Sequence, residues 1–196
     1  MFGKLIAAAA IGVALYGQEL KPVVDNERVT VWDVTWTKGQ ANPARGQDRD
    51  TVVMSLVPGR EAMFYPRGTG LEAAGSGNAR RSLVIELKDH PVPPLDNKTG
   101  YPLAFPRPHV AKLLENDRAI VWSYRWSPGE PTPMHFHDKD VVVVYLEDTA
   151  LMSTTPDGSK TLNEYKAFDI RFNKRDRTHT ELLVRGTGSA MMMELK

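Results

Sequence analysis

The sequence predicts an all-β protein whose short antiparallel strands form a sandwich or a barrel. Six segments are rich in β-branched or aromatic residues and are bounded by Gly, Pro, Asp or Asn: RVTVWDVTW, TVVMSLV, AIVWSYRW, VVVVYLE, FDIRFN and SAMMMELK. The segment TPDGSK, residues 155–160, is a hairpin turn signal between two strands. Many short strands separated by turn signals are typical of all-β sandwiches and barrels.

The charge balance argues against a nucleic-acid-binding function. The 25 basic and 24 acidic residues nearly cancel and form no basic run, so the chain presents no attractive field to a phosphate backbone. The 196 residues suit one or two modest domains, and the 41% of apolar residues are enough for a core. The chain has no cysteine, so no disulfide bonds indicate whether it works inside or outside the cell.

The first 17 residues have the pattern of a secretory signal peptide. Lys4 provides a positive start, residues 5–15 form an apolar run, and Gly17 is a small residue suited to cleavage. The run is shorter than the ~20 residues of a transmembrane helix, so we expect no stable membrane span in the mature protein. A buried helix or an uncleaved anchor is the alternative. We therefore predict export to the periplasm or the cell exterior.

An internal repeat divides the rest of the chain. Residues 26–56 align without a gap with residues 116–146, an offset of 90, and 12 of the 31 positions are identical, including two tryptophans in each copy. The copies also end alike, in SLVIELK and AMMMELK. We predict a degenerate N-terminal repeat over 18–90, a Pro-rich connector with one short helix (RPHVAKLLEND) over 91–115, and a longer C-terminal repeat over 116–196.

Two histidines lie one residue apart at the start of a valine-rich strand. Side chains at i and i+2 of a strand point to the same face, so His135 and His137 can chelate one cation. A third ligand has to come from another strand, and His179 is the one other histidine of the second repeat. We predict one divalent transition metal, Fe, Mn, Zn or Ni, because imidazole suits several of these ions. A structural or surface role for the histidines is the alternative.

The same residues resemble the motifs of the cupin superfamily, small β-barrels of jelly-roll type. GEPTPMHFH places five residues between Gly129 and His135, as in the first cupin motif. The second cupin motif has its histidine eleven positions after a turn glycine, and eleven positions before His179 is Phe168. The resemblance implies a cupin-like jelly-roll β-barrel of two unequal, bicupin-like repeats, with an intact metal site in the second.

The chain departs from the cupin pattern at several positions. Phe168, Lys174 and Asp176 stand where the second motif usually has Gly, Pro and Gly. The first motif usually has a glutamate four or five residues after its second histidine, where this chain has Val141 and Val142. The site would then consist of three neutral histidines, a pattern that some cupin dioxygenases show. Such a site leaves the ion its full charge and favours an anionic or oxygen-rich ligand.

The first repeat cannot build the same site. Arg45 and Gln47 stand where the second repeat has His135 and His137, and no segment corresponds to the one that carries His179. We expect a structural role for this repeat, in which its strands and apolar surface cover the second barrel.

Five further residues of the second repeat are candidates for the site. Asp140 is the candidate for a fourth ligand or for a residue that supports the ligands. Its counterpart Asp50 lies in the repeat without the triad, which favours a structural role for both. Candidate pocket residues are Tyr124, Trp126, Tyr145 and Glu181, for which core packing is the alternative.

The resemblance implies a metalloenzyme acting on a small polar or anionic molecule, with dioxygenase chemistry as the first choice and isomerase or lyase chemistry also open. The alternative is a small-molecule-binding protein without turnover, since the fold does not choose between them. The sequence identifies no catalytic residue. A homodimer is reasonable because barrels of this type expose strand edges.

Overall fold

The computed structural model describes residues 21–36, 48–57, 59–69 and 80–196. The predicted signal peptide lies outside these ranges, as do Arg45 and Gln47. Within the described ranges all regular structure is β, and no helix is long and apolar enough to cross a membrane. The strands are β1 Val24–Asp25, β2 Val29–Trp36, β3 Thr51–Val57, β4 Glu61–Tyr65, β5 Arg80–Leu87, β6 Val110–Glu115, β7 Ala119–Arg125, β8 His135–His137, β9 Val141–Tyr145, β10 Thr149–Thr154, β11 Lys160–Tyr165, β12 Ile170–Asn173, β13 Arg177–Gly186 and β14 Ser189–Leu195.

The strands form three antiparallel sheets. The N-terminal sheet has the order β1-β2-β5-β3-β4, the central sheet β12-β9-β14-β7-β6, and the site sheet β11-β10-β13-β8. The central and site sheets pack face to face as a jelly-roll barrel, and the N-terminal sheet packs on the outer face of the central sheet. The prediction of an all-β fold is confirmed.

The central sheet is buried on both faces. Side chains alternate between the faces of a strand, so Val142 and Val144 of β9 face the N-terminal sheet, whereas Val141 and Val143 face the site sheet. The methionines of β14 alternate in the same way. This double burial explains the unbroken apolar runs VVVV and MMM, because a strand covered on one face alone would alternate apolar and polar residues.

The N-terminal sheet provides the cover that we expected of the first repeat. Val29, Val31, Met54 and Ile85 are fully buried and belong to the same core cluster as the central-sheet valines. Burying a side chain of this size contributes about 1.5–3 kcal/mol to stability. The N-terminal sheet therefore supplies apolar surface that covers the central sheet, and the division of the chain into two repeats stays a prediction.

Residues aligned by the sequence repeat occupy corresponding places in the two five-stranded sheets. The order β2-β5-β3 in the N-terminal sheet matches β7-β14-β9 in the central sheet. Asn26 and Asn116, which are ninety residues apart, each accept hydrogen bonds from two backbone N–H groups just ahead of β2 and β7. The same order and the same turns are what a duplication predicts, and the duplication itself stays a prediction.

The predicted helix in the connector is wrong. Val110–Glu115 form β6, an edge strand of the central sheet that pairs with β7 and shifts register between Lys112 and Leu114. Ala, Lys, Leu and Glu favour helices locally. A helix of so few residues is marginal without tertiary contacts, and the open edge of β7 satisfies the backbone of this segment instead.

Candidate metal centre

Two neighbouring strands of the site sheet carry the three histidines. β8 contains His135 and His137, and its register places His135 opposite His179 of β13. Because positions i and i+2 share a face, both β8 histidines point between the site sheet and the central sheet. Antiparallel pairing therefore brings together ligands that are 42 residues apart in sequence.

The ring nitrogens of the three histidines converge. His137 Nε2 lies 3.2 Å from His135 Nε2 and 3.3 Å from His179 Nε2, and one candidate ligand atom from each ring lies within 4.8 Å of the others. Two nitrogens bound to one ion at ~2.0–2.1 Å are about 2.9 Å apart at a right angle and about 3.4 Å apart at a tetrahedral angle. The observed distances lie between these values, so the triad can hold a metal ion.

A backbone contact fixes the tautomer of His135. Its Nδ1 lies 2.8 Å from the carbonyl oxygen of Pro133, so Nδ1 carries the proton and donates it. The lone pair is then on Nε2, the atom that faces the other two rings. In metal sites the ring nitrogen of a histidine that does not bind the metal typically donates such a hydrogen bond.

The triad is uncharged at neutral pH. Burial lowers the pKa of His135 to about 3, and the nearby Arg107 guanidinium and His179 add to the shift. Burial lowers the pKa of His179 to about 4, with contributions from Arg177 and Arg107. Burial also holds the pKa of His137 well below its ordinary value. Neutral imidazole is the form that binds metals.

Glu181 is the carboxylate beside the triad. It lies two residues after His179 on β13, and its Oε1 is 4.0 Å from His179 Nε2. Its Oε2 accepts a hydrogen bond from Trp126 Nε1 at 3.1 Å, and its backbone N–H donates to Thr132 Oγ1 at 2.8 Å. These contacts hold a largely buried carboxylate next to the position that a bound ion would occupy.

A small inner cavity adjoins the histidines. Its volume is about 20 Å³, room for one water molecule. Its walls include His137, His179, Glu181 and Tyr145, so two of the predicted pocket residues lie beside the triad. Burial raises the pKa of the Tyr145 phenol, which is therefore neutral.

An outer cleft of about 230 Å³ lies next to the inner cavity. Tyr124, Thr132 and His109 line the cleft, and Arg107 lines both the cleft and the inner cavity. Trp126 lines neither of them and instead packs behind Glu181.

Sequence reasoning missed Arg107. Its Nη1 donates to His135 Nε2 at 3.0 Å, and its side chain is 6% exposed. The connector delivers it because residues 102–104 run along β8, where Phe136 N–H donates to Pro102 O and Ala104 N–H donates to Phe136 O, both at 2.8 Å. The available signal was AFPRP, a single cation between prolines next to apolar residues.

Comparison with known proteins identifies the fold. No family model matches the chain. Protein Ylba from E. coli, of the family DUF861, superimposes with a TM-score of 0.55 at 11% identity, over 86% of this chain and 77% of that one. A cupin domain from Bordetella pertussis Tohama I superimposes with a TM-score of 0.42 at 24% identity, over 44% of this chain and 91% of that one. The chain has the cupin fold.

One curated protein is similar in sequence to a segment of this chain. The β-alanine degradation protein BauB of Pseudomonas aeruginosa PAO1 is 39% identical over 62 residues. The match covers 32% of this chain and 61% of BauB, so the chain spans less than two thirds of that relative.

The Asp140 side chain does not reach the triad. Its Oδ2 accepts a hydrogen bond from Arg28 at 2.6 Å, and its Oδ1 accepts one from the backbone N–H of Arg175 at 2.8 Å. Among the described residues the cluster that could hold a metal ion consists of the three histidines alone. Val141 and Val142, at the positions of the usual cupin glutamate, belong to the core.

At two positions where the second cupin motif usually has glycine, this chain has another residue but keeps the left-handed backbone that favours glycine. Phe168 and Asp176 stand where glycine is usual, and their φ angles are 67° and 66°. Glycine adopts this left-handed region without strain, whereas other residues do not. Asp176 N–H donates to His137 O at 2.9 Å, so the turn ties the strand ends that carry two ligands.

Proposed function

We propose that the protein is a metal-dependent cupin enzyme that acts on a small polar or anionic molecule. The observation that carries this proposal is the convergence of three neutral imidazoles, with Nε2 separations of 3.2 and 3.3 Å, beside a buried carboxylate. Three protein ligands leave positions on an ion open to a reactant. A bound Fe, Mn, Zn or Ni ion would act as a Lewis acid or activate water or O₂.

Glu181 is the group that favours an enzyme over a binding protein without turnover. A binding protein needs a cavity alone, whereas an enzyme also needs a group that gives or takes a proton beside the reactant. Glu181 meets this need because it lies beside His179 and lines the inner cavity. Its hydrogen bond from Trp126 leaves Oε1 facing the triad.

The relative BauB supports a small substrate. Its name refers to the degradation of β-alanine, a short molecule with one amino and one carboxylate group. A molecule of this kind suits an outer cleft of about 230 Å³. Oxygenation, isomerisation and lyase chemistry are all compatible with the site.

Two experiments test the proposal. Elemental analysis after separate loading with Fe(II), Mn(II), Zn(II) and Ni(II) is expected to give about one ion per chain, set by the single triad. The loaded forms are then incubated with β-alanine and a panel of small carboxylic acids, alcohols and amines, with mass spectrometry and oxygen uptake as readouts. Glu181→Gln is expected to keep the metal and lose product formation.

Each outcome has a distinct meaning. No ion in any loaded form would overturn the metal site. A bound ion together with ligand binding but no product in the whole panel would favour the binding protein over the enzyme. Export, and a homodimer formed through strand edges, stay predictions from the sequence.

A further inference from the structure

Arg107 is a buried cation without a close carboxylate partner. Its side chain is 6% exposed, and within the described ranges the carboxylate paired with it is that of Glu181, at 3.9 Å, which is beyond hydrogen-bonding distance. Its Nε has no hydrogen-bond partner among the described residues. Removing a charge from water is costly unless hydrogen bonds and an opposite charge compensate for it. The Nε–H of Arg107 is therefore unpaired, and the guanidinium charge favours the binding of an anion.

Aromatic rings hold this guanidinium in place. Its central carbon lies 4.1 Å from the centre of the Tyr124 ring and 4.9 Å from the centre of the Phe105 ring. Phe105 in turn stacks on Trp122, with ring centres 5.4 Å apart and planes 9° apart. A guanidinium fixed by stacking loses little freedom when it binds a ligand, so the site is preorganised.

Arg107 also lies at the boundary between the two cavities. It lines the inner cavity at the triad and the outer cleft of about 230 Å³. The inner cavity, at about 20 Å³, is too small for an organic molecule, so most of a substrate has to occupy the cleft. A molecule that reaches from the cleft to the triad passes Arg107.

The charge around the triad favours an anion. Arg107 and Arg177 line the inner cavity together with one carboxylate, that of Glu181. A divalent ion on three neutral histidines would add two positive charges at a distance of a few ångströms. An anion that contacts both the ion and Arg107 would neutralise part of this charge in a medium of low dielectric constant.

We propose that Arg107 binds the carboxylate group of the substrate and thereby restricts the substrates to small carboxylates. The planar guanidinium offers paired N–H groups that match a carboxylate in a bidentate contact. The lone pair of His135 Nε2 cannot serve Arg107 and a metal at once, so metal uptake releases the Nη1 donor for the anion. The inference rests on the proposed function in that the metal strengthens this contact.

The test uses full-length protein loaded with Co(II), with propionate as the probe and propionamide as its neutral analogue. Calorimetric titration compares wild type with Arg107→Gln, Arg107→Lys and Arg171→Gln. Arg171 is a matched control, because it is an exposed arginine of the central sheet paired with Asp169. Elemental analysis of each sample reports cobalt separately.

Propionate is expected to bind Arg107→Gln at least tenfold more weakly than wild type, and Arg107→Lys with an intermediate affinity. The Arg171→Gln protein should match wild type, and propionamide should bind none of the proteins measurably. Equal affinities in wild type and Arg107→Gln, or equal binding of propionate and propionamide, would overturn the inference. If Arg107→Gln fails to fold, Arg107→Lys decides, and an affinity equal to that of wild type would overturn it.

The cobalt content separates the two proposals. Wild-type protein that takes up neither cobalt nor any of Fe(II), Mn(II), Zn(II) and Ni(II) would contradict the proposed function, and the same titrations on metal-free protein would then decide the role of Arg107. A tenfold loss in Arg107→Gln would support the carboxylate site, and no loss would remove it. Bound cobalt with propionate affinities that are independent of Arg107 would leave the metal centre standing and overturn the inference alone.

Discussion

Arg28, in the turn between β1 and β2, donates a hydrogen bond to Asp140 in the half that carries the histidines, with Nη1 and Oδ2 2.6 Å apart. Arg118 and Asp50 are the residues that the ninety-residue offset aligns with Arg28 and Asp140. They make the same contact in the opposite direction between the halves, with Arg118 Nη1 2.7 Å from Asp50 Oδ2. Each arginine also donates from Nη2 to a backbone carbonyl at the end of the other half. Asp140 further accepts the backbone N–H of Arg175, so its carboxylate joins the two segments that lead from His137 and toward His179.

The two reciprocal ion pairs are expected to contribute unequally to stability. Arg28 and Asp140 have side chains 5% and 11% exposed, whereas Arg118 and Asp50 are 26% and 21% exposed. Arg28→Met leaves a buried carboxylate unpaired and is expected to cost about 3–5 kcal/mol in the free energy of unfolding. Arg118→Met, in the more solvated pair, should cost about 1 kcal/mol or less. Urea unfolding measures both, and equal losses would contradict this reading of their burial.

Asp140→Asn is expected to lower stability without removing the metal. Its carboxylate binds Arg28 and Arg175 and does not belong to the histidine cluster, and asparagine keeps an oxygen for the Arg175 N–H. His179→Ala should abolish metal binding, and His90→Ala, outside the histidine cluster, should leave it unchanged. Metal content per folded chain is the measurement. Loss of metal in a folded Asp140→Asn protein would make Asp140 a ligand.

Because Asp176 has a left-handed backbone, we expect glycine to be more stable than alanine at this position, the opposite of the usual order. Asp176→Gly should be more stable than Asp176→Ala by about 1–2 kcal/mol, because alanine in this region brings its Cβ close to the carbonyl oxygen. Lys174 lies in the same turn with an ordinary φ. There the glycine variant should be less stable than the alanine variant by about 0.5–1 kcal/mol, through its greater entropy when unfolded. Thermal unfolding of the four variants shows whether the order reverses.

Glu194 is expected to make stability depend on pH. It is 2% exposed, and burial raises the pKa of its carboxyl against the opposing effects of the Trp122 hydrogen bond and of Lys139. A raised folded-state pKa means that the contribution of this group is complete below the ordinary pKa of 4.5 and is lost as pH rises through the raised value. Glu194→Gln removes this ionisation and keeps an acceptor for Trp122 Nε1, which lies 2.9 Å from the carboxylate.

The measurement for Glu194 is the free energy of unfolding of wild type minus that of Glu194→Gln, from pH 4 to pH 8. This difference should fall as pH rises. A constant difference would mean that the carboxyl has the same pKa in the folded and unfolded chains.

Removing Arg107 should strengthen metal binding. Its Nη1 uses the lone pair of His135 Nε2, and its charge repels a cation at the triad. Arg107→Gln is therefore expected to lower the dissociation constant for Co(II) by about tenfold, the equivalent of about 1.4 kcal/mol. Competition with a chelator of known affinity provides the number, with Arg171→Gln as the control. Weaker binding in Arg107→Gln would mean that Arg107 supports the ligands rather than competing with the ion.

The strands and the triad could be predicted because both depend on short-range periodicity. Alternation with a period of two places His135 and His137 on one face in any strand, and the turn at residues 155–160 lies as expected between β10 and β11. His179 could be found because it is the one other histidine in that half of the chain. The resemblance to the second cupin motif supported this choice, because that motif places its histidine eleven positions after the residue that is Phe168 here.

The errors arose where contacts distant in sequence decide the structure. Local propensity favours a helix over residues 110–115, but the open edge of β7 makes the segment a strand. Arg107 reaches the site because the connector pairs with Phe136, a contact that no local pattern encodes. Asp140 was a candidate ligand by its place in the sequence, and its side chain instead serves the contact between the two halves, in line with the structural role that its counterpart Asp50 favoured.

The burial of the central sheet on both faces has an evolutionary consequence. The N-terminal sheet carries none of the three histidines, yet its side chains can vary freely only where they do not touch the central sheet. Polar substitutions at Val29, Val31 or Ile85 would strip the apolar cover from the valines of β9, and natural selection would remove them as misfolding variants. The N-terminal half therefore has to keep its apolar face for the other half to stay folded, and any shortened version of this protein has to redesign the face of the central sheet that it uncovers.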